Sequence, residues 1–160
     1  MSIKVIKIIN PKNLNLIFGQ THFIKTVEDL HETLVESVPG IKFGLAFAEA
    51  SGPCLIRTSG NNPALQQLAA NNLLVIGAGH TFLIFLENSF PINVLTQIKN
   101  LPEICQIFCA TANDIEVVVW ESKMGNSVLG AVDGNRPKGI EKQNQIKDRK
   151  DFLRRIGYKL

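Results

Sequence analysis

The sequence predicts an α+β fold, a single compact domain over residues 1–160 with mixed β-sheet layers and about four helices. Two observations carry that prediction. Pairs of short apolar strands alternate with single amphipathic helices, an order that favours segregated layers over a doubly wound parallel sheet. No internal repeat, low-complexity tract or linker divides the 160 residues. A hydrophobic share of 45% against 19% charged is that of a chain with a buried core.

The elements follow in order. Ile3, Val5, Ile8 and Ile9 alternate as a first strand, and Leu14 to Phe18 form a second after the Asn10-Pro11 turn. A helix then opens at Thr26, read as its cap. Leu30, Leu34, Val35 and Val38 make its apolar stripe, and Pro39-Gly40 stops it. Ile41 to Glu49 alternates like a strand and can pair with Cys54 to Arg57 across a four-residue turn. Asn62 offers a cap and Pro63 a first helical position. Asn71-Asn72 weakens that helix before the apolar run Leu73 to Ile76. Thr81 to Glu87 is a strand, and Phe90-Pro91-Ile92-Asn93 opens a short helix. Cys105 to Ala110 and Glu116 to Trp120 read as interior strands. Val128 to Val132 is the last strand, and Ile146, Leu153 and Ile156 are the core face of a final helix.

Composition narrows the function classes. The N-terminus reads as a strand and not a signal peptide, and no apolar run approaches the ~20 residues of a membrane span. Cys54, Cys105 and Cys109 do not have metal or redox spacing and read as reduced, semi-buried packing residues. The expectation is a cytoplasmic protein without a membrane. The net charge of +3 is concentrated at the C-terminus, where Glu141 to Leu160 carries seven basic and three acidic residues. Asp148 and Asp151 interrupt the positive run, which reads against nucleic acid and as a solvated face or a basic rim for an anion.

A small-ligand site is expected around His80. Gly77 and Gly79 permit positive φ and close approach to a ligand, and successive amides can cradle an anion. The adjacent His80 is open to roles as phosphoryl acceptor, general base, hydrogen-bond donor or structural residue. Glu49 ends an apolar strand, where it can serve as a base or ribose acceptor, or pair with Arg57. Asp133 and Lys138 share a glycine-rich loop that suits a metal, a phosphate or an ordinary turn. Asn93 lies at a helix N-terminus shortly after His80 in sequence. His22 and His31 are read as surface residues. The phosphate-binding loop of P-loop enzymes, the dinucleotide fingerprint, the protein-kinase signatures and the zinc-protease motif are all missing.

Six segments resemble one family: Phe43 to Ser51, Ile76 to Phe82, Phe90 to Leu95, Ile107 to Asn113, Gly130 to Gly134 and Arg154 to Lys159. They resemble the adenosine-specific kinases, small proteins mainly of archaea and bacteria, and the likeness spans nearly the whole chain. Asn62 departs from it, standing where an Asp is common. The resemblance implies binding of adenosine or AMP and phosphoryl transfer, with Mg²⁺ accompanying a phosphoryl donor. It makes His80 the central residue, able to carry phosphate, with Glu49 as the second catalytic group. Ser51, Arg57, Gly77, Gly79, Asn93, Asp133 and Lys138 are the expected binding shell. It also implies a homo-oligomer, a trimer as first guess. The alternative is a nucleoside or nucleotide sensor or carrier without turnover.

Overall fold

A computed structural model describes all of residues 1–160. The strands are β1 (Ser2–Lys7), β2 (Asn15–Thr21), β3 (Phe43–Ala48), β4 (Ile56–Gly60), β5 (Thr81–Leu86), β6 (Ile104–Thr111), β7 (Ile115–Glu121) and β8 (Asn126–Asp133). The helices are α1 (Thr26–Ser37), α2 (Pro63–Ile76), α3 (Pro91–Lys99) and α4 (Gln143–Arg155). This is the α+β arrangement the sequence predicts. Five strands form one sheet in the order β4-β3-β5-β2-β6, and three form a second in the order β1-β7-β8. Every pairing is antiparallel.

Alternation along the central strands builds two cores. Ile17, Phe43, Leu45, Phe82 and Ile84 face α1 and α3, where Leu30, Leu34, Val94 and Ile98 meet them. Leu16, Phe18, Ala46, Leu83 and Phe85 face the other way, onto α2 and the inner side of the small sheet at Ile115, Val117 and Val119. The α2-facing positions of β3 are small because the helix lies nearly in contact with the strand. A Cβ on Gly44 would come within 2.2 Å of the Gln66 nitrogen.

Several local expectations are corrected. The cap position of α1 is Lys25, without a side-chain cap bond, and Thr26 is the first helical residue. The Thr26 hydroxyl is instead buried against Thr21 at 2.6 Å. Asn72 does not weaken α2, which runs on to Ile76. Its buried amide accepts from the Ile9 backbone N–H at 2.7 Å and donates to the Ile9 carbonyl at 3.0 Å, fastening the segment that follows β1 to the helix. Neither late strand is interior in the sense of two covered faces. β6 is an edge strand, and β7, central in its sheet, buries one side and exposes Glu116 and Trp120. The core face assigned to α4 is not a core face here, since no residue of α4 is buried. Cys54 and Cys105 are exposed and only Cys109 is buried, because only Cys109 points from β6 toward the α2-side core. His31 is half-buried, its Nδ1 2.8 Å from the Ser59 hydroxyl.

Candidate functional site

α2 ends at Gly77, whose φ of +63° allows its N–H to close back on the Leu73 carbonyl at 2.9 Å. The chain then turns through Ala78 and Gly79 into His80. A Cβ on Gly79 would lie 2.7 Å from that of Ala50, so the turn sits hard against the end of β3. His80 has a φ of +61°, rare for a residue with a side chain. Two backbone bonds hold it there. Its N–H donates to the Ala48 carbonyl at 2.7 Å, and its carbonyl accepts from the Thr21 N–H at 2.8 Å. Strain at one residue persists where the surroundings over-determine it, and such residues cluster at functional sites.

The half-buried imidazole stacks on Phe47, with centroids 6.0 Å apart and planes 22° from parallel. Phe47 pairs with Arg57 across β3 and β4, and directly paired residues share a face of the sheet. Glu49, two positions beyond Phe47, grips Arg57 at 2.8 Å and accepts from the Leu55 N–H at 2.8 Å. That backbone bond, and then the guanidinium, hold its carboxyl below the usual carboxylate range. His80, Glu49 and Arg57 thus gather around Phe47 at one end of the central sheet. Glu49 is spent on holding Arg57, a poor state for a general base. Ser51 is exposed in the adjoining turn, where its carbonyl accepts from the Cys54 N–H.

Of the amides in the Gly77–His80 turn, those of Gly77 and His80 are committed to the fold, while those of Ala78 and Gly79 make no bond within the chain. Behind the turn opens a cavity of about 530 Å³. Its walls are the end of β3, the C-terminal end of α2, the Gly77–Gly79 turn, and the β7–β8 hairpin with Trp120 and Met124. The volume and mainly apolar lining are those of a small-ligand site. Glu49, Gly77 and Gly79 line it, whereas the His80 ring does not.

A family model described as "Adenosine specific kinase" matches residues 6–159. The chain belongs to the adenosine specific kinase family. The crystal structure of the PH1918 protein from Pyrococcus horikoshii OT3 is similar throughout. It has a TM-score of 0.95 and 46% identity, covering 99% of this chain and 98% of that one. No curated protein matches the chain in sequence.

Three expected shell residues of this family member stand apart from His80. Asn93 follows the far end of β5, whose six residues span about 20 Å. Its side chain accepts from the Phe90 N–H at 3.0 Å, capping α3. Asp133 ends β8 at the opposite tip from the cavity and accepts from the Asn113 amide at 2.9 Å. Lys138 is exposed on the loop beyond it. No three His, Cys, Asp or Glu side chains converge to hold a metal ion. The departure at Asn62 is explained locally. Its side chain caps α2 by accepting from the Ala64 and Leu65 N–H groups, at 3.1 and 3.3 Å. Sequence reasoning missed Phe47 and the β7–β8 hairpin. Phe47 reads as ordinary strand core, and no motif marks the turn around Met124 that walls the cavity.

Proposed function

We propose that this protein binds adenosine or AMP and transfers a phosphoryl group through His80. The observation that carries the reading is the left-handed His80, locked by backbone bonds on both sides and stacked on Phe47 beside Arg57. A ring nitrogen of His80 attacks the terminal phosphorus of a phosphoanhydride donor. The P–N bond forms as the P–O bond to the leaving group breaks. The 5′-hydroxyl of adenosine then attacks the same phosphorus, the P–N bond breaks, and the hydroxyl proton passes to the freed imidazole. Arg57, positioned by Glu49, offsets charge on the phosphoryl oxygens, and the free Ala78 and Gly79 amides can add to it. Mg²⁺ arriving with a donor would rest mainly on the donor's own oxygens.

A second reading, binding without turnover, is favoured by one observation: the Glu49–Arg57 pair leaves no free carboxylate beside His80. One experiment separates the two. Wild type and His80→Asn, which tolerates positive φ, are titrated calorimetrically with adenosine and AMP. Both are then incubated with radiolabelled phosphoryl donors and assayed for acid-labile label on protein and for labelled nucleotide. Binding by both proteins, with label on wild type alone, supports transfer through His80. Binding with no label on either product gives the sensor reading. Labelled AMP formed equally by His80→Asn overturns the role of His80.

A further inference from the structure

The left-handed backbone of His80 persists only while both of its main-chain bonds hold. One runs to the Ala48 carbonyl at the end of β3, and the other comes from Thr21, whose N–H donates to the His80 carbonyl at 2.8 Å. Thr21 is the last residue of β2, and the next residue, His22, is exposed outside the sheet. Chain segments at such ends fray unless something besides the ladder holds them. Here the ladder is also disturbed on one side. The pairing of β2 with β6 shifts register between Gln20 and Thr21, an irregularity that interrupts regular strand bonding and re-aims side chains.

The Thr21 side chain supplies the missing anchorage. It is 2% exposed. Its hydroxyl donates to the Glu103 carbonyl at 3.0 Å and accepts from the Thr26 hydroxyl at 2.6 Å. Those bonds tie the end of β2 to the turn before β6 and to the first residue of α1. Alternation along β2 sets Thr21 on the α1 side of the sheet, the side that Ile17 faces. Phe47 faces the same way as Phe43 and Leu45 on β3, and the His80 ring is stacked on it. The anchored hydroxyl and the imidazole therefore stand on one side of one end of the sheet.

We infer that Thr21 is a positioning residue for the phosphoryl acceptor. Its buried hydroxyl fixes the end of β2, its N–H fixes the His80 carbonyl, and the ring is thereby held against Phe47 in a single orientation. The inference rests on the reading of His80 as the group that takes the phosphoryl. A misplacement of about 1 Å at a reacting group can slow a reaction by about 100-fold. Loss of the hydroxyl is thus a loss of transfer rate, with nucleoside affinity left as it was.

The test uses the full chain as wild type, Thr21→Val and Thr21→Ser. Valine exchanges the hydroxyl for a methyl of similar shape, and serine restores the hydroxyl. Adenosine affinity is measured by calorimetry, and the transfer rate by the initial appearance of acid-labile label from radiolabelled ATP. The orientation of the ring is read from its proton resonances, which the Phe47 stack shifts upfield. They are assigned among the three histidines by their absence from His80→Asn. In Thr21→Val the His80 resonances are expected to move toward those of free imidazole. The labelling rate is expected to fall roughly 10- to 100-fold at unchanged adenosine affinity, and Thr21→Ser to recover both. A hydroxyl that only stabilises the fold would lower the melting temperature and move neither readout. That result overturns the inference, as does a change that Thr21→Ser fails to recover. Wild type that takes no label defeats the phosphoryl reading alone, and the His80 resonances still decide whether Thr21 holds the ring. Where Thr21→Val does not fold, Thr26→Val, which removes only the hydroxyl donating to Thr21, is read in the same way.

Discussion

At His80 the backbone and the side chain ask for different things. Positive φ costs a residue with a Cβ about 1 kcal/mol, and the stack on Phe47 returns a similar amount. His80→Ala loses the stack and keeps the strain, whereas His80→Gly loses both. The glycine variant is therefore expected to be the more stable of the two by about 1 kcal/mol, measured as the difference in denaturation midpoints. Equal stabilities would mean that the loop relaxes when the ring is removed. Glu49 gives a pH-dependent counterpart. Its folded pKa lies below its unfolded value, so its stabilisation is complete above the ordinary carboxylate pKa of about 4.3 and is lost as pH falls through the folded value. The melting temperature of wild type should exceed that of Glu49→Gln by a constant margin from pH 7 to pH 5. That margin should shrink as the pH is lowered below 4. A margin that grows on acidification would show that the carboxylate opposes folding.

At the scale of elements, the close approach of α2 to β3 depends on Gly44. A methyl there would meet the backbone at Leu65 and Gln66, which cannot swing aside as a side chain would. Gly44→Ala is expected to cost about 3 kcal/mol, seen as a drop in melting temperature of roughly 6–12 °C. A loss below 1 kcal/mol would show that the helix slides to make room. These elements also show what the sequence makes legible. The α2 start was readable because Asn62-Pro63 is a local signal whose bonds lie within three residues. Its length was not, because Asn72 acts across the fold, on Ile9. The open side of β7 and the bare side of α4 have the same letters as buried surfaces, since apolar residues pack equally well against their own chain or another molecule. At the site, glycines and a histidine in one turn pointed to His80. Asn93 was drawn into the shell by its nearness in sequence, and the length of β5 then carries it to the other end of the sheet. Glu49 and Arg57 were legible as a pair, whereas the engagement of Glu49 by the Leu55 amide depends on the shape of the hairpin.

The whole molecule is arranged about the five-stranded sheet, with α1 and α3 on one side and α2 and the small sheet on the other. Order along the chain and order in space diverge most at β1, which has no strand partner in the first hundred residues and lies against β7 in a register that sets Ser2 opposite Glu121. Pairings between such distant residues slow folding into the range of milliseconds to seconds. Trp120, opposite Ile3 in that register, reports the event, so its fluorescence after dilution from denaturant should recover later than backbone circular dichroism. Simultaneous recovery would place the small sheet in the folding nucleus. The same register matters on the ribosome. β1 emerges well before β7 and must wait for it before it can join its sheet, leaving Ile3, Val5 and Ile6 without a strand partner through that interval. A strand made early is thus among the last to be secured, and its exposed β-forming residues are where a nascent-chain chaperone has most reason to bind.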